Sequence, residues 1–152
     1  MFNQYLGKNI YRFTWLRSFH EPIILRIESD TSGNITLIEK KLYEFKSLVI
    51  DIDSTSHYKT DSTKVEELTL KLSKTYWDSF EQLLSKNNFL AMSTTVAYEY
   101  GTDGSEWILE KHCKDGYYVV NRWAPDNKRY SSFRDICDYL IDLSNYKNEE
   151  RY

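Results

Sequence analysis

A chain of 152 residues with a net charge of −3 and 28% charged residues has the composition of one soluble, folded domain. Five glycines and this mild acidity argue against a phosphate-cradling loop and against the basic face that nucleic-acid binding needs. No apolar run approaches the length of a membrane span, and no cofactor motif occurs. We therefore expect a single domain over residues 1–152 with no cofactor, no nucleic-acid partner and no membrane span.

The N-terminal sequence Met-Phe-Asn-Gln-Tyr-Leu-Gly-Lys lacks the apolar segment of a signal peptide. It predicts a cytoplasmic protein if this N-terminus is native, and a periplasmic or surface-anchored one if a signal segment was removed. Cys113 and Cys137 can form at most one disulfide, which is compatible with a reducing or an oxidising compartment.

The first forty residues predict an antiparallel meander. Alternation with a period of two over residues 10–17 puts aromatic side chains on one face and Arg12 and Thr14 on the other. Residues 23–28 and 35–40 repeat this alternation, and turn signals separate the three segments. The pattern indicates three consecutive strands.

The middle of the chain is less regular. It predicts a fourth strand at 48–52, and the run of alternating leucines at 68–72 predicts a short strand that leads into a helix. Residues 53–64 between them are polar and aperiodic, which is typical of a surface loop. We expect that loop to be the most mobile internal segment, because it has few apolar side chains to offset its ordering entropy.

Two amphipathic helices are predicted. Ser73 is the expected N-cap of the first, and Ser132 with Asp135 resembles a capping box for the second. The first apolar stripe is Tyr76, Trp77, Phe80, Leu83 and Leu84, and the second is Phe133, Ile136, Cys137, Leu140 and Leu143. The charged tail, 145–152, is expected to fray.

A long hairpin is predicted over residues 103–125, around Asp115-Gly116. Asp-Gly between runs rich in Trp, Ile, Tyr and Val is a strong hairpin signal, and Pro125 ends the second strand because it has no N–H for the ladder. Together the elements predict an α+β fold: an antiparallel sheet, made of a meander and a long hairpin, with both helices on one face.

Two stretches contain Trp and Pro residues at distinctive positions. The first is Tyr11-Arg-Phe-Thr-Trp-Leu-Arg-Ser-Phe-His-Glu-Pro22; the second joins Gly101-Thr-Asp-Gly-Ser-Glu-Trp-Ile-Leu-Glu110, Asp115-Gly-Tyr-Tyr and Arg122-Trp-Ala-Pro125. The pattern resembles a family of bacterial proteins of uncharacterised function, whose members often begin with a secretion signal or lipid anchor. Residues 40–72 depart from the glycine-rich segment of that family. The resemblance implies a bacterial relative and carries no activity.

The polar residues of the hairpin, Asp103, Glu110, His112 and Arg122, are the candidates for catalysis. In this reading Glu110 is a base and Arg122 an anion clamp. The alternative, which we favour, is a structural pair between Glu110 and Arg122 that fixes the register of the sheet.

The turn decides whether these two residues meet. A two-residue turn pairs Glu110 with Asn121, whereas a three-residue turn with a bulge puts Glu110 opposite Val120 and diagonal to Arg122. For metals, the three histidines and two cysteines lack ligand spacing, so no metal site is expected.

Aromatic residues beside arginine are typical of interaction hot spots. The candidates for binding are Trp15, Trp107, Tyr117, Tyr118, Arg122 and Trp123. Packing in the core is the alternative, and we favour it for most of them. Those that lie uncovered on the helix-free face of the sheet would need a partner.

These observations predict a non-enzymatic domain that binds another protein, through the helix-free sheet face or the hairpin edge. An inhibitor or immunity protein would suit so small a domain. The alternative is a small hydrolase or anion-binding enzyme that uses Glu110, Arg122 and His112. The sequence leaves the oligomeric state open.

Overall fold

The computed structural model describes residues 7–43, 64–96, 101, 103–126 and 128–152. Its six strands are β1 Lys8–Arg17, β2 Ile23–Asp30, β3 Ile35–Tyr43, β4 Lys64–Leu72, β5 Ser105–Cys113 and β6 Gly116–Trp123. The helices are α1 Lys74–Lys86 and α2 Ser131–Leu143, with a single 3-10 turn at Phe89–Ala91. None of the described helices is long and apolar enough to cross a membrane.

The strands form one antiparallel sheet in the order β4-β3-β2-β1-β5-β6. Among the described residues the sheet does not close, so β4 and β6 are its outer strands, and the hairpin β5–β6 continues the meander on the far side of β1. This is the predicted α+β fold, in which β1 occupies a central position between β2 and β5.

One face of the sheet is apolar and carries both helices. Alternation in β1 turns Tyr11, Phe13 and Trp15 to this face, and the register brings Trp107 of β5 opposite Trp15. The Tyr11 ring packs edge-on against Phe80 at 5.1 Å between centroids. Seven residues of the two predicted stripes lie in the core, namely Trp77, Phe80, Leu84, Phe133, Ile136, Cys137 and Leu140. Tyr76 was predicted there but is 46% exposed, and Ile141, which was not predicted, is fully buried.

The helix starts are predicted with mixed success. α1 begins directly after Ser73, as expected, although the Ser73 side chain makes no capping hydrogen bond. The predicted capping box of the second helix is wrong, because α2 begins at Ser131 and Ser132 already lies inside it. Before α2, the carboxylate of Asp126 accepts hydrogen bonds from the backbone N–H groups of Lys128 and Arg129.

The region between β3 and α1 also differs in extent. β4 runs over Lys64–Leu72, so it is longer than the short strand predicted from the leucines, and Lys64 belongs to it rather than to a loop. The predicted strand at 48–52 and the remainder of the predicted loop, 53–63, lie outside the described residues.

The C-terminal tail is attached to the helix-bearing face, where the sequence predicted fraying. Glu149 accepts hydrogen bonds from Arg17 Nη1 at 2.7 Å and from Lys41 Nζ at 2.8 Å. Ser105 donates to the backbone oxygen of Tyr152. The charged residue Glu149 thus forms ion pairs at the end of the sheet. The tail, like the two helices, covers part of this face.

Candidate binding face

The register of the hairpin decides which polar residues share a face. Its two-residue turn is Lys114-Asp115, so Cys113 pairs with Gly116 and Glu110 pairs with Val119. Both registers considered from the sequence are therefore wrong. Gly116 lies directly after the turn rather than within it. Its φ of +138° is a backbone conformation that residues with side chains rarely adopt.

Glu110 and Arg122 lie on opposite faces of the sheet. Glu110 shares the helix-free face with Arg12 and Val119, whereas Arg122 pairs with Trp107 on the helix-bearing face. His112 lies on the helix-free face opposite Tyr117. The predicted pair does not form, and the catalytic set composed of Glu110, His112 and Arg122 shares no pocket.

Arg122 is buried and contacts other parts of the fold. Its side chain is buried, and its Nη2 donates to the carbonyl oxygen of Ser93 at 2.9 Å. The guanidinium also lies over the ring of Phe133, 5.8 Å from the centroid. These contacts tie β6 to α2 and to the segment that precedes the hairpin, so Arg122 stabilises the covered face rather than contacting a partner.

A hydrogen-bonded network joins β1, β5 and β6 on the helix-free face. The buried carboxylate of Glu110 accepts from Arg12, with Nη2 at 2.6 Å from Oε1 and a second bond from Nε, and from the hydroxyl of Tyr117. The register explains the contact, because Arg12 lies directly opposite Glu110 and Tyr117 is two residues from its other partner, Val119. We name Arg12, Glu110 and Tyr117 the Glu110 network.

The network shifts the pKa values of Glu110 and Tyr117. Burial alone would raise the pKa of Glu110, but hydrogen bonds from Arg12 and Tyr117 outweigh it, so the pKa lies below its usual range. Burial and the bond to Glu110 raise the pKa of Tyr117 to about 12. At neutral pH the network therefore contains a carboxylate, a guanidinium and a neutral phenol.

A second ion-pair cluster lies beside it on the same face. The buried carboxylate of Glu28 contacts Lys8, and Arg26 Nη2 lies 2.6 Å from its Oε2. Arg12 and Arg26 are opposite each other in β1 and β2, which places the two clusters next to one another. Alternation in β1 already put Arg12 on this face, but its partners could not be known without the register.

Two of the six binding candidates are core residues. Trp15 and Trp107 are fully buried on the helix-bearing face, with 5.4 Å between ring centroids. The Trp107 indole donates to Ser105 Oγ at 2.8 Å, and Arg134 lies over its ring. They have no surface left for a partner, which agrees with the core-packing alternative.

The remaining aromatic candidates divide between the two faces. Tyr118 lies on the helix-bearing side, opposite Lys111, and is half-buried. Trp123 lies on the helix-free side and packs closely on glycine, since a Cβ at Gly101 would come within 2.6 Å of its Nε1. Tyr117 alone combines a place on the helix-free face with 44% exposure.

Asp103 is exposed in the turn that enters β5, at the opposite end of that strand from His112. The thiols of Cys113 and Cys137 are free and buried, and burial raises the pKa of Cys137 well above its usual value. Among the described residues no group of three or more His, Cys, Asp or Glu side chains could hold a metal ion.

A cleft of about 280 Å³ lies on the helix-bearing side, between the end of α1 and β1, and sequence reasoning missed it. Tyr11, Glu81 and Lys111 are its polar lining residues near the sheet. The Tyr11 hydroxyl donates to Glu81 Oε1 at 2.8 Å, and burial raises the Tyr11 pKa. A phenol held neutral in this way is a donor and a poor proton-transfer group.

No protein-family model matches this chain, and no curated protein sequence matches it significantly. The resemblance to a bacterial family therefore remains an expectation.

Proposed function

We propose that this chain is a non-enzymatic protein-binding domain that receives another protein on the helix-free face of its sheet. The observation that carries the proposal is the Glu110 network. It holds an arginine and a tyrosine in fixed positions on a face that no described helix covers.

Fixed side chains favour binding for a physical reason. A free arginine or tyrosine loses rotamer freedom when a partner immobilises it, at a cost of about 0.5–1.5 kcal/mol for each flexible side chain. The bonds to Glu110 restrict Arg12 and Tyr117 before any partner arrives. Both residue types are enriched at the centre of protein interfaces.

The surroundings of the network suit a protein partner. Leu16 is 38% exposed on the same face, and Ile108 and Val119 are half-buried beside the network. The charges of Arg12 and Arg26 are matched by Glu110 and Glu28, so the face offers a mixture of apolar and paired polar groups. Such a mixture resembles protein interfaces more than it resembles the basic surface of a nucleic-acid-binding protein.

Within this class, we propose that the domain acts as an inhibitor or immunity protein that neutralises its partner. A small, mildly acidic domain of net charge −3 with a preorganised face can block a larger surface without chemistry of its own.

The test is affinity capture from an extract of the source organism, quantified by mass spectrometry for the wild-type chain and three variants, Arg12→Ala and the matched pair Tyr117→Ala and Tyr76→Ala. Tyr117→Ala removes an exposed tyrosine from the helix-free face, and Tyr76→Ala removes one of nearly equal exposure, 46%, from α1. We expect Tyr117→Ala and Arg12→Ala each to reduce capture of the specific partner about tenfold or more. Equal capture by all variants, or an equal loss with Tyr76→Ala, would contradict the proposal.

A further inference from the structure

The two edges of the sheet differ in how they are covered. At the β6 edge, the N–H of Asn121 donates to the carbonyl oxygen of Thr94 at 2.7 Å, and Arg122 contacts Ser93. Within the described part of the chain, the outer edge of β4 pairs with no strand, and its backbone bonds only to β3. An open strand edge offers unpaired N–H and C=O groups to another strand.

The side chains of β4 are distributed in a way that suits self-pairing. Register with β3 places Glu67, Thr69 and Lys71 on the helix-free side, and Leu68 and Leu70 on the helix-bearing side. Leu68 is 46% exposed. Glu67 carries the negative charge near one end and Lys71 the positive charge near the other, so an antiparallel copy of the strand brings opposite charges together.

We propose that β4 pairs antiparallel with β4 of a second copy of this chain, about a dyad at Thr69. This register places Glu67 of each copy opposite Lys71 of the other, and Leu68 opposite Leu70. The hydroxyls of the two Thr69 side chains meet at the dyad. Directly opposed charges, leucine pairs and threonine pairs each stabilise an antiparallel ladder.

Charge selects this register over its neighbours. A dyad at Leu68 sets Glu67 opposite Thr69, and a dyad at Leu70 sets Lys71 opposite Thr69, so neither forms an ion pair. A dyad at Glu67 sets that carboxylate opposite its own copy, which is repulsive. Lys71 is exposed, and among the described residues it forms no ion pair.

The pairing leaves the proposed partner face accessible. Its dyad is perpendicular to the sheet, so the helix-free faces of both copies lie on the same side of one continuous sheet. Tyr117 lies on β6, at the opposite edge from β4. The dimer therefore presents two binding faces, and its existence does not depend on the proposed function, because pure protein suffices to test it.

The experiment is sedimentation analysis of the pure chain over a concentration series. Wild type should change from the 18.2 kDa monomer to a dimer of twice that mass. Glu67→Lys and Lys71→Glu each set like charges opposite one another, and each should weaken the dimer about tenfold or more. Mixing the two variants restores both opposed pairs, so the mixture should form a heterodimer that neither variant forms alone.

Lys86→Glu makes the same charge change as Lys71→Glu, but on the exposed end of α1. It should leave the dimer unchanged. If Glu67→Lys fails to fold after losing its 2.8 Å contact with Lys40, Thr69→Lys gives the same readout, because it sets two lysines against each other at the dyad. A wild-type chain that stays monomeric, a dimer that survives the charge reversals, or variants that do not associate on mixing would overturn the proposal.

Discussion

The two faces of the sheet differ in how far they expose their arginines. β1 contributes one arginine to each face. Arg17, on the helix-bearing face, has a fully buried side chain that bonds to Glu149 and stacks over Trp15 at 4.8 Å. Arg12, on the other face, is bonded to Glu110 but keeps 52% of its side chain exposed. Both arginines are paired, so pairing alone does not identify function. The face decides which of them a partner can reach.

The covered face supplies the stability of the domain, and the largest expected effect is therefore there. Replacing the fully buried Phe80 with Ala should lower the free energy of unfolding by about 3–5 kcal/mol, because it leaves a cavity between α1 and the sheet. Urea unfolding measures this loss. The control, Leu90→Ala, removes a side chain that is 55% exposed and should change stability by less than about 0.5 kcal/mol. A loss below about 1 kcal/mol for Phe80→Ala would show that this face is not the core.

A pair of double-mutant cycles separates the two faces directly. Glu110→Gln and Arg12→Gln should couple by about 1 kcal/mol, since the two side chains share charge-assisted hydrogen bonds. Glu110→Gln and Arg122→Gln lie on opposite faces and should be additive within about 0.5 kcal/mol. The opposite ranking of the two coupling energies, measured by thermal or urea unfolding, would mean that the hairpin has a different register.

The acid dependence of stability tests the charge state of the Glu110 network. The folded-state pKa of Glu110 is depressed, so the carboxylate stabilises the fold fully above its unfolded pKa, and this contribution is lost as pH falls through the folded pKa. Between about pH 5 and about pH 2, wild type should lose more stability than Glu110→Gln. Parallel curves for the two proteins would indicate an unshifted carboxyl.

The smallest effect concerns the hydroxyl of Tyr117. Tyr117→Phe removes one hydrogen bond to Glu110 from a residue that is 44% exposed, so we expect a loss below about 1 kcal/mol. In Glu110→Gln the Tyr117 pKa should fall from about 12 toward the ordinary value, because a neutral amide no longer opposes ionisation of the phenol. An NMR titration of labelled tyrosine measures this, and an unchanged Tyr117 titration would contradict the bond.

The sequence predicts the fold well because alternation and turn chemistry are local signals. Tyr11, Phe13 and Trp15 identify the buried face without knowledge of any other strand. The candidate site depends instead on the turn, and the two-residue alternative gives Glu110 the correct face with the wrong partner. The three-residue alternative puts Val120 and Arg122 on the face of Glu110, because a shift of one residue turns every side chain of β6 over relative to β5. The alternation of residues within one strand does not indicate which register the hairpin adopts.

The tail illustrates the same limit with charges. Glu149 looks solvated in the sequence, yet its partners Arg17 and Lys41 come from β1 and β3. More than 100 residues separate it from either one. Contacts of this kind form only when the sheet assembles. Nothing in the local sequence around Glu149 indicates them, which is why fraying was predicted.

Footprinting with hydroxyl radicals shows whether the helix-free face is the surface that contacts the partner. Leu16 and Tyr117 are 38% and 44% exposed on that face, whereas Tyr76 and Leu90 are 46% and 55% exposed elsewhere. With the captured partner bound, we expect Leu16 and Tyr117 to lose labelling, and Tyr76 and Leu90 to keep it. Protection of Tyr76 or Leu90 with unchanged labelling of Tyr117 would contradict the account.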